Sequence, residues 1–278
     1  MGETPGANPL LEMIEVSKHF GGLPAVDTLS FAVQRGEVLG IIGPNGAGKS
    51  TLVGLIAGAL APTSGVVRYG GRDINNLPAH RRARLGIART FQITQPFAGL
   101  DIRENVLIGA LYGRQRLRRM AAMRVADDIL DTVGLAGKAT LKGDELTTAD
   151  RKRLELARAL AAGPELLLLD EVMAGLTPTE VVEAIALIRE INRRGVTVLV
   201  IEHIMQAITG VSDRVLVMHH GRKIAEDVPS RVLSDVKVVE AYLGSRYANR
   251  RLSDGAGGQD DPIMRPPAQS VESNPNRA

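Results

Sequence analysis

A short glycine-rich run in the first third of the chain ends in a lysine followed by two hydroxyl residues, in the pattern G-x-x-x-x-G-K-S. Glycines let backbone N–H groups curl around phosphate oxygens, because no Cβ atoms obstruct the approach. In this pattern Lys49 reaches the outer phosphates, and the Ser50 hydroxyl is a ligand for Mg²⁺. The segment therefore predicts a phosphate-binding loop made of Gly43, Pro44, Asn45, Gly46, Ala47, Gly48, Lys49, Ser50 and Thr51.

Two adjacent carboxylates follow a run of leucines at residues 166–169. An apolar strand that ends in aspartate is typical of the position that holds the Mg²⁺ shell in phosphoryl-transfer enzymes, which assigns Asp170 to the metal. Glu171 comes next and is placed to orient or deprotonate an attacking water, because that role needs a carboxylate which is not bound to the metal. Together with the glycine-rich loop, the pair predicts hydrolysis of a phosphoanhydride.

Strands and helices that could position these residues are visible as patterns of apolar residues. The glycine-rich loop follows an apolar run at 37–42, and a helix is predicted from Lys49 to about Ala59, with Leu52, Leu55 and Ile56 at helical spacing. Strands and helices alternate again after residue 165, which predicts a mostly parallel sheet covered on both faces. Further strands are predicted at 11–16, 30–33, 66–69, 86–90, 166–169, 197–201, 213–218 and 222–225.

The expected fold class is α/β: a P-loop NTPase core with a mostly parallel sheet, an antiparallel β portion and an inserted helical subdomain. Residues 95–162 show helical periodicity at 102–111, 117–133 and 148–162 and no strand pattern. We expect a flexible N-terminus over 1–9, one ATP-binding domain over 10–244, and a disordered tail over 245–278. The tail is predicted from its proline, glycine and arginine content, which buries too little apolar surface to offset the entropy of ordering.

Composition excludes several classes of protein. The chain has no cysteine, which removes disulfide scaffolds, thiol chemistry and cysteine-ligated zinc. Its apolar runs are strand-sized, far shorter than the ~20 residues of a spanning helix, and the N-terminus lacks the basic cluster of a secretory signal. A net charge of +3 gives no argument for nucleic acid. A cytosolic protein is expected, so that any membrane part must come from other chains.

Taken together, these motifs resemble the ATP-binding subunit of ABC transporters over roughly residues 10–244. The resemblance implies an ATPase that uses ATP and Mg²⁺. It also implies that Gln92 is the Q-loop glutamine, which touches Mg²⁺ or its water and senses the membrane subunit. His203, after the strand at 197–201, looks like the switch histidine that contacts the γ-phosphate, and Phe20 looks like the aromatic residue that stacks on adenine.

A narrower resemblance concerns the segments Gly86–Gln92, Ala174–Glu180 and Val239–Gly244. They look like the subfamily that serves importers of branched-chain and hydrophobic amino acids. That resemblance implies two different ATPase chains, membrane permease subunits, a separate solute-binding protein and a location at the cytoplasmic face of the cell membrane. It leaves the solute open, since similar members serve amides, urea or aromatic acids.

The chain departs from the family at the signature Leu-Ser-Gly-Gly-Gln, which acts on the partner chain's ATP. The corresponding residues after Leu146 are Thr147, Thr148, Ala149 and Asp150. Loss of both glycines crowds the backbone near phosphate. A carboxylate ~6 Å from a γ-phosphate would repel each negative charge by about 3 kcal/mol at an effective dielectric of ~20, before relief from Lys152 and Arg153. We therefore favour a heterodimer with one competent and one impaired site, against the alternative that this subfamily tolerates a loose signature.

Two other interpretations belong to different classes. One is a soluble ABC ATPase of DNA repair or translation, and the other is a nucleotide-binding regulatory subunit or P-loop kinase. The basic clusters Arg81, Arg82, Arg84 and Arg114, Arg116, Arg118, Arg119 are predicted to be mainly solvated faces. Contact with a membrane partner comes second and nucleic acid last, because no stacking aromatic residues lie between these arginines.

Overall fold

The computed structural model describes residues 8–90, 96–97 and 99–243. Its strands, in chain order, are β1 (Leu11–Phe20), β2 (Leu23–Val33), β3 (Val38–Ile42), β4 (Ser64–Tyr69), β5 (Arg72–Asp73), β6 (Ile87–Arg89), β7 (Leu166–Asp170), β8 (Thr197–Ile201), β9 (Arg214–His219) and β10 (Arg222–Asp227). Its α-helices are α1 (Lys49–Ala57), α2 (Ala79–Leu85), α3 (Ile102–Tyr112), α4 (Arg119–Thr132), α5 (Thr148–Ala161), α6 (Pro178–Arg193), α7 (Met205–Val211), α8 (Pro229–Ser234) and α9 (Val236–Leu243).

The strands form two sheets that differ in character. A six-stranded sheet has the order β10-β9-β3-β8-β7-β6, in which only β10 runs antiparallel to its neighbour. A four-stranded antiparallel sheet has the order β2-β1-β4-β5. The predicted fold class, with a mostly parallel sheet and an antiparallel portion, is confirmed.

The parallel strands of the larger sheet are buried on both faces, which explains their unbroken apolar sequences. Along β8, Leu199 and Ile201 pack with the β1–β2 side of the molecule and helix α1, whereas Val198 and Val200 pack with helices α5 to α8. Strands β3 and β7 alternate in the same way. The sheet is thus a rigid middle layer between two apolar clusters, and it fixes the positions of the loops at its ends.

Register brings the chemically important strand ends to one edge. Ile41 pairs with Ile201, and Ile201 pairs with Asp170 on its other side. The last residues of β3, β8 and β7 therefore lie side by side, and the loops that follow them emerge at the same edge. This is the edge at which ligands bind in open α/β sheets.

Helices α3, α4 and α5 share a third apolar cluster that includes Ile102, Val106, Leu130 and Leu154. These are the three helices that the periodicity predicts between residues 95 and 162. Helix α3 begins at a capping box, in which Asp101 and Glu104 each accept a hydrogen bond from the other's backbone N–H. The cluster supports the predicted helical subdomain, whose boundaries stay a prediction.

Several details differ from the sequence-based prediction. Helix α1 ends at Ala57, two residues early, because Gly58 adopts a left-handed conformation with φ of 80°. Strands β1 and β2 extend further into their hairpin than predicted. The short elements β5, α2 and α8 were not predicted, since polar sequences such as AHRRARL carry no apolar periodicity. Residues 1–7 of the predicted flexible N-terminus over 1–9, and the predicted disordered tail, lie outside the described residues.

The prediction of a solvated basic face on α2 is wrong for one residue. Arg81 and Arg84 are exposed, but Arg82 is only 1% exposed. Its guanidinium donates hydrogen bonds to the carbonyls of Leu55 and Ile56 at the end of α1, and to those of Asn75 and Leu77. Arg82 therefore closes the C-terminus of the helix that begins at the phosphate loop.

Candidate nucleotide site

The loop between β3 and α1 needs glycine at two close backbone contacts. A Cβ atom on Gly43 would lie 2.3 Å from the Met218 carbonyl oxygen, and one on Gly48 would lie 2.2 Å from the Ala25 carbonyl oxygen. Gly48 also has φ of 98°, a conformation that favours glycine. These contacts seat the loop against β9 and β2, which holds its backbone in the curled form that phosphate binding requires.

Helix α1 opens towards this loop. It begins after Gly48 with no side-chain hydrogen bond to cap it from any described residue. The first N–H groups of such a helix have no intrahelical acceptor, and the helix dipole places partial positive charge there. Lys49, Ser50 and Thr51 form this first turn, so the loop and the helix N-terminus together offer the kind of end that can bind an anion.

Lys49 lies over the same loop. Its Nζ donates hydrogen bonds to the carbonyl oxygens of Gly43, at 2.6 Å, and Pro44, at 3.0 Å. Burial lowers the pKa of Lys49, while the charges of Glu171 and Asp170 oppose that shift. The ammonium is thus held against the loop and within electrostatic reach of both carboxylates, where phosphate oxygens could replace the two carbonyls.

Asp170 is the last residue of β7 and is buried, with 3% of its surface exposed. Burial raises the pKa of Asp170 and the neighbouring Glu171 raises it further, whereas Arg89 and Lys49 act in the opposite direction. Its Oδ1 atom has no hydrogen-bond partner among the described residues. A buried carboxylate oxygen without a partner, at the edge that carries Ser50, suits a hard cation such as Mg²⁺.

Glu171 adopts a backbone conformation that is uncommon for a residue with a side chain. Its φ is 51°, and both of its peptide groups are held. The N–H donates to the Ile201 carbonyl oxygen at 2.9 Å, and the carbonyl accepts from Lys152 Nζ at 3.1 Å. Strained backbone of this kind concentrates at functional sites. It turns the chain sharply at the end of β7, directly after Asp170.

The remaining residues of the predicted site lie in different settings. His203 is exposed and follows β8, so its loop emerges between the loops that follow β3 and β7. Phe20 is 50% exposed at the end of β1, with Lys18 Nζ 5.3 Å from its ring centre. Its strand partner Leu23 lies two residues before Ala25, which contacts Gly48. Gln92 lies outside the described residues, so its assigned role stays a prediction.

The signature residues occupy the start of α5. Asp150 was expected to present its charge to a partner's phosphate, but its carboxylate is largely buried. Its carboxylate is 9% exposed and accepts hydrogen bonds from Lys138 Nζ, at 2.5 Å, and from the Thr147 hydroxyl, at 2.8 Å. Burial alone would raise the pKa of Asp150, but these two bonds, together with the charges of Lys138 and Arg153, outweigh it and lower the pKa. The expected repulsion of a partner's γ-phosphate is therefore weakened mainly by Lys138, with a smaller contribution from Arg153.

The hydroxyl of Thr147 is engaged within the chain as well. It caps α5 by accepting a hydrogen bond from the Asp150 N–H at 3.2 Å while it donates to the Asp150 carboxylate. Thr148 and Ala149 follow as the first helical residues, each with a side chain where the family signature has glycine. This segment therefore differs from the family signature more in the shape of its side chains than in its charge.

Sequence reasoning missed two charged residues beside the catalytic edge. Lys152 reaches Glu171 from α5, and Glu202 lies buried between β8 and His203 with 1% of its surface exposed. A carboxylate directly after an apolar strand at the functional edge is the signal that could have identified Glu202. Lys152 offered no such signal, because an exposed lysine is common on any helix.

Burial makes Glu202 a source of pH-dependent stability. Burial raises the pKa of Glu202 to about 7 from its usual 4.5, against the opposing effects of the Met173 N–H and of Lys152. The folded chain then binds this proton more tightly than the unfolded chain, so its stability falls as pH rises from below 5 to above 7. Relative to wild type, Glu202→Gln should gain about 3 kcal/mol in unfolding free energy between pH 5 and pH 8.

Urea unfolding of both chains at several pH values measures this difference. Glu190→Gln, which changes a partly exposed carboxylate paired with Arg193 and Arg194 on the surface of α6, is the control and should show no such trend. A constant difference between Glu202→Gln and wild type across this range would contradict the assignment.

Similarity to known proteins identifies the family of this chain. The family model for the ABC transporter ATP-binding domain matches residues 26–174, just over half of the chain. The chain belongs to the ABC transporter family. It is therefore an ABC-type ATPase that binds ATP, and the predicted family and enzyme class are confirmed. The glycine-rich loop and Asp170 both fall within the matched range.

The sequence match to individual relatives extends over almost the whole length of each relative. The chain is 35% identical to the high-affinity branched-chain amino acid transport ATP-binding protein BraF of Pseudomonas aeruginosa, over 86% of this chain and 99% of that protein. It is 34% identical to LivG of Escherichia coli, with the same description and the same shares. Among solved structures, the ADP conformation of the ATP-binding cassette MJ1267 of an ABC transporter has a TM-score of 0.78 and 34% identity, over 86% of this chain and all of that one.

Proposed function

We propose that this ABC ATPase hydrolyses ATP to drive an importer of branched-chain amino acids or related small polar or hydrophobic solutes. The observation that carries the proposal is the match to BraF and LivG, which extends over nearly the full length of both. These names favour a transport subunit over an ATPase of DNA repair or translation, and over a regulator or kinase. The nucleotide site described above supplies the hydrolytic machinery that the role requires.

Each residue of the site has a distinct task in this proposal. Lys49 exchanges its bonds to Gly43 and Pro44 for phosphate oxygens, and the N-terminus of α1 holds the same anion. Ser50, Asp170 and Gln92 would hold Mg²⁺, which when bound would neutralise charge on the phosphates. Glu171 orients the water for in-line attack and accepts its proton, while His203 contacts the γ-phosphate. Phe20 stacks on the adenine.

Membrane permease subunits are the proposed partners, and a groove beside the helical subdomain is the proposed contact. This groove, about 480 Å³ in volume, is lined by Phe97, Ile108, Gly109 and Arg158 on one side and by His80 and Ala83 on the other. Phe97 is 42% exposed, and its ring lies 4.5 Å from the Arg158 guanidinium. Docking there would place this chain at the cytoplasmic face of the membrane. Among the described residues, none of the helices has the length and apolar character that crossing a membrane requires.

Replacing Phe97 and Leu100 together by aspartate should uncouple ATP hydrolysis from uptake. The groove would lose its aromatic contact and gain a charge at Phe97, with a second charge in the same turn at Leu100, while the phosphate loop at the other end of α1 is unchanged. We expect uptake to fall more than tenfold with ATP binding unaltered, because two buried charges cost an interface more than the 1.4 kcal/mol that a factor of ten requires. Uptake and nucleotide titration of the same preparation measure both quantities.

The matched control is Tyr112→Asp, which places aspartate at an exposed aromatic residue of the same subdomain but outside the groove. It should leave uptake unchanged. Normal uptake by the Phe97 and Leu100 variant would show that the permease docks elsewhere.

A second, different ATPase chain is the proposed dimer partner, and a separate solute-binding protein completes the system. Steric crowding favours the heterodimer, because Thr148 and Ala149 add side chains where the signature approaches a partner's nucleotide. Charge contributes less, because Lys138 compensates Asp150. A homodimer would place two crowded signatures against two complete phosphate loops. A heterodimer confines the impaired geometry to one of its two sites.

Restoring the signature tests this asymmetry. The combined variant Thr148→Gly, Ala149→Gly and Asp150→Gln should raise ATPase activity of the reconstituted pair several-fold, at the site that the partner's phosphate loop provides. Asp150→Gln alone is the control and should give no gain, because Asp150 is already neutralised within the chain. An unchanged rate and unchanged nucleotide occupancy in the combined variant would instead support a tolerated loose signature.

The proposed function as a whole is tested by purifying the tagged chain from its own cells. It should be recovered with permease subunits of several membrane spans and with a second ATPase chain, identified by mass spectrometry. Recovery with ribosomes or with DNA-repair proteins, and without permeases, would overturn the proposal.

A further inference from the structure

The turn that carries Glu171 is held from two directions by charged side chains that play no part in the mechanism above. Lys152 approaches from α5 and contacts the Glu171 carbonyl oxygen, and Glu202 approaches from the end of β8 and accepts a hydrogen bond from Met173 in the same turn. The turn itself is strained, with φ of 51° at Glu171. Strain of this kind persists only where the surroundings overdetermine it.

Glu202 contributes a short hydrogen bond from a buried position. Its Oε1 accepts a hydrogen bond from the Met173 backbone N–H at 2.7 Å. Its other oxygen, Oε2, is buried and has no hydrogen-bond partner among the described residues. Lys152, Glu171 and the His203 backbone N–H are the charged and polar groups that face this carboxylate. A buried carboxylate with a free oxygen is costly to stability, so a packing role alone does not account for it.

Lys152 supplies the opposing charge from the helix that carries the signature. It is half-buried, and burial lowers the pKa of Lys152 while Glu202 and Glu171 oppose that shift. It lies two residues after Asp150, in the first turns of α5, whose N-cap is Thr147. A displacement of this end of α5 would therefore move the ammonium relative to the Glu171 carbonyl.

We propose that Lys152 and Glu202 are positioning residues that hold the Glu171 turn in its hydrolytic arrangement, and that Lys152 makes this arrangement depend on the position of the signature helix. When the signature segment engages the partner's nucleotide, Lys152 transmits the position of α5 to the carboxylate that acts on this chain's own nucleotide. The two ATP sites are thereby linked within one chain. The inference rests on the proposed role of Glu171 in hydrolysis.

The test compares steady-state ATPase kinetics of the purified transporter complex carrying Lys152→Met, Lys152→Arg or Glu202→Gln in this chain. Lys152→Met should lower kcat ten- to a hundredfold while KM for ATP stays within threefold, because the phosphate loop is untouched. Lys152→Arg keeps a cation at the carbonyl and should recover most of the lost rate. Glu202→Gln should lower kcat with the same unchanged KM.

Arg189→Met is the matched control, since Arg189 also joins a helix to a backbone carbonyl, that of Gly210, but far from the site. It should leave both constants as in wild type. A Lys152→Met rate within twofold of wild type, or a loss of rate that Lys152→Arg does not recover, would overturn the inference. Glu171→Gln is measured in parallel: if it still hydrolyses ATP, the proposed role of Glu171 fails, whereas an inactive Glu171→Gln beside a fully active Lys152→Met overturns only this inference.

Discussion

Glu171→Gln should leave ATP binding intact and reduce turnover by at least about a hundredfold, the lower end of what a general base contributes. The amide cannot accept the proton of the attacking water, yet it has nearly the shape of the carboxylate. The backbone contacts that hold the turn, from Glu171 N–H to Ile201 and from Lys152 to the Glu171 carbonyl, involve no side-chain atom of Glu171 and are retained. Single-turnover hydrolysis of ATP measures the loss directly.

Two companion variants separate binding from chemistry. Lys49→Ala removes the cation that lies over the phosphate loop and should lose ATP binding as well as hydrolysis. Glu190→Gln removes a partly exposed carboxylate on α6 and should hydrolyse ATP at the wild-type rate. Robust single-turnover hydrolysis by Glu171→Gln, with its partner chains present, would show that another group accepts the proton.

Arg82→Met should give the largest loss of stability among the arginine clusters. The methionine fills part of the volume but donates no hydrogen bonds, so it leaves the carbonyls of Leu55, Ile56, Asn75 and Leu77 buried without this partner. Unpaired buried groups cost about 1–3 kcal/mol each where water does not replace the bond, and we expect a total loss of about 3 kcal/mol or more. Urea unfolding monitored by circular dichroism provides the measurement.

Arg84→Met is the control for this loss, because Arg84 is on the same helix and exposed. It should change the unfolding free energy by less than about 0.5 kcal/mol. Equal effects of the two substitutions would contradict the structural role of Arg82. The expected loss would also weaken ATP binding, since Arg82 closes the end of the helix that begins at Lys49.

The sequence predicted those parts of the molecule in which local pattern and chemistry coincide. The apolar strand before Gly43 and the leucines before Asp170 each have a single structural interpretation, because a fully buried parallel strand requires an unbroken apolar run. The fold class followed from them and is confirmed, while the metal-binding role of Asp170 stays a prediction. Gln92 and the two terminal segments lie outside the described residues, and those predictions stand as made.

The sequence could not predict features that depend on packing between distant segments. Nothing local distinguishes Arg82, which is buried, from Arg81 and Arg84, which are exposed. The direction of Asp150 depends on Lys138, which lies on a separate turn of the helical region, so a pairwise repulsion calculated from the signature alone was misleading. Lys152 likewise gains its importance only from the position of α5 beside the strained turn.

The most direct test of the central claim is ATP-driven solute uptake by proteoliposomes that contain the complex purified through this chain. ATP is supplied on the side of the membrane that carries the chain, and uptake of radiolabelled leucine is followed with wild type and with Glu171→Gln. The account predicts that leucine accumulates only with wild type and ATP, and that unlabelled isoleucine and valine compete. Leucine uptake that is independent of ATP, or that Glu171→Gln supports as well as wild type, would contradict it.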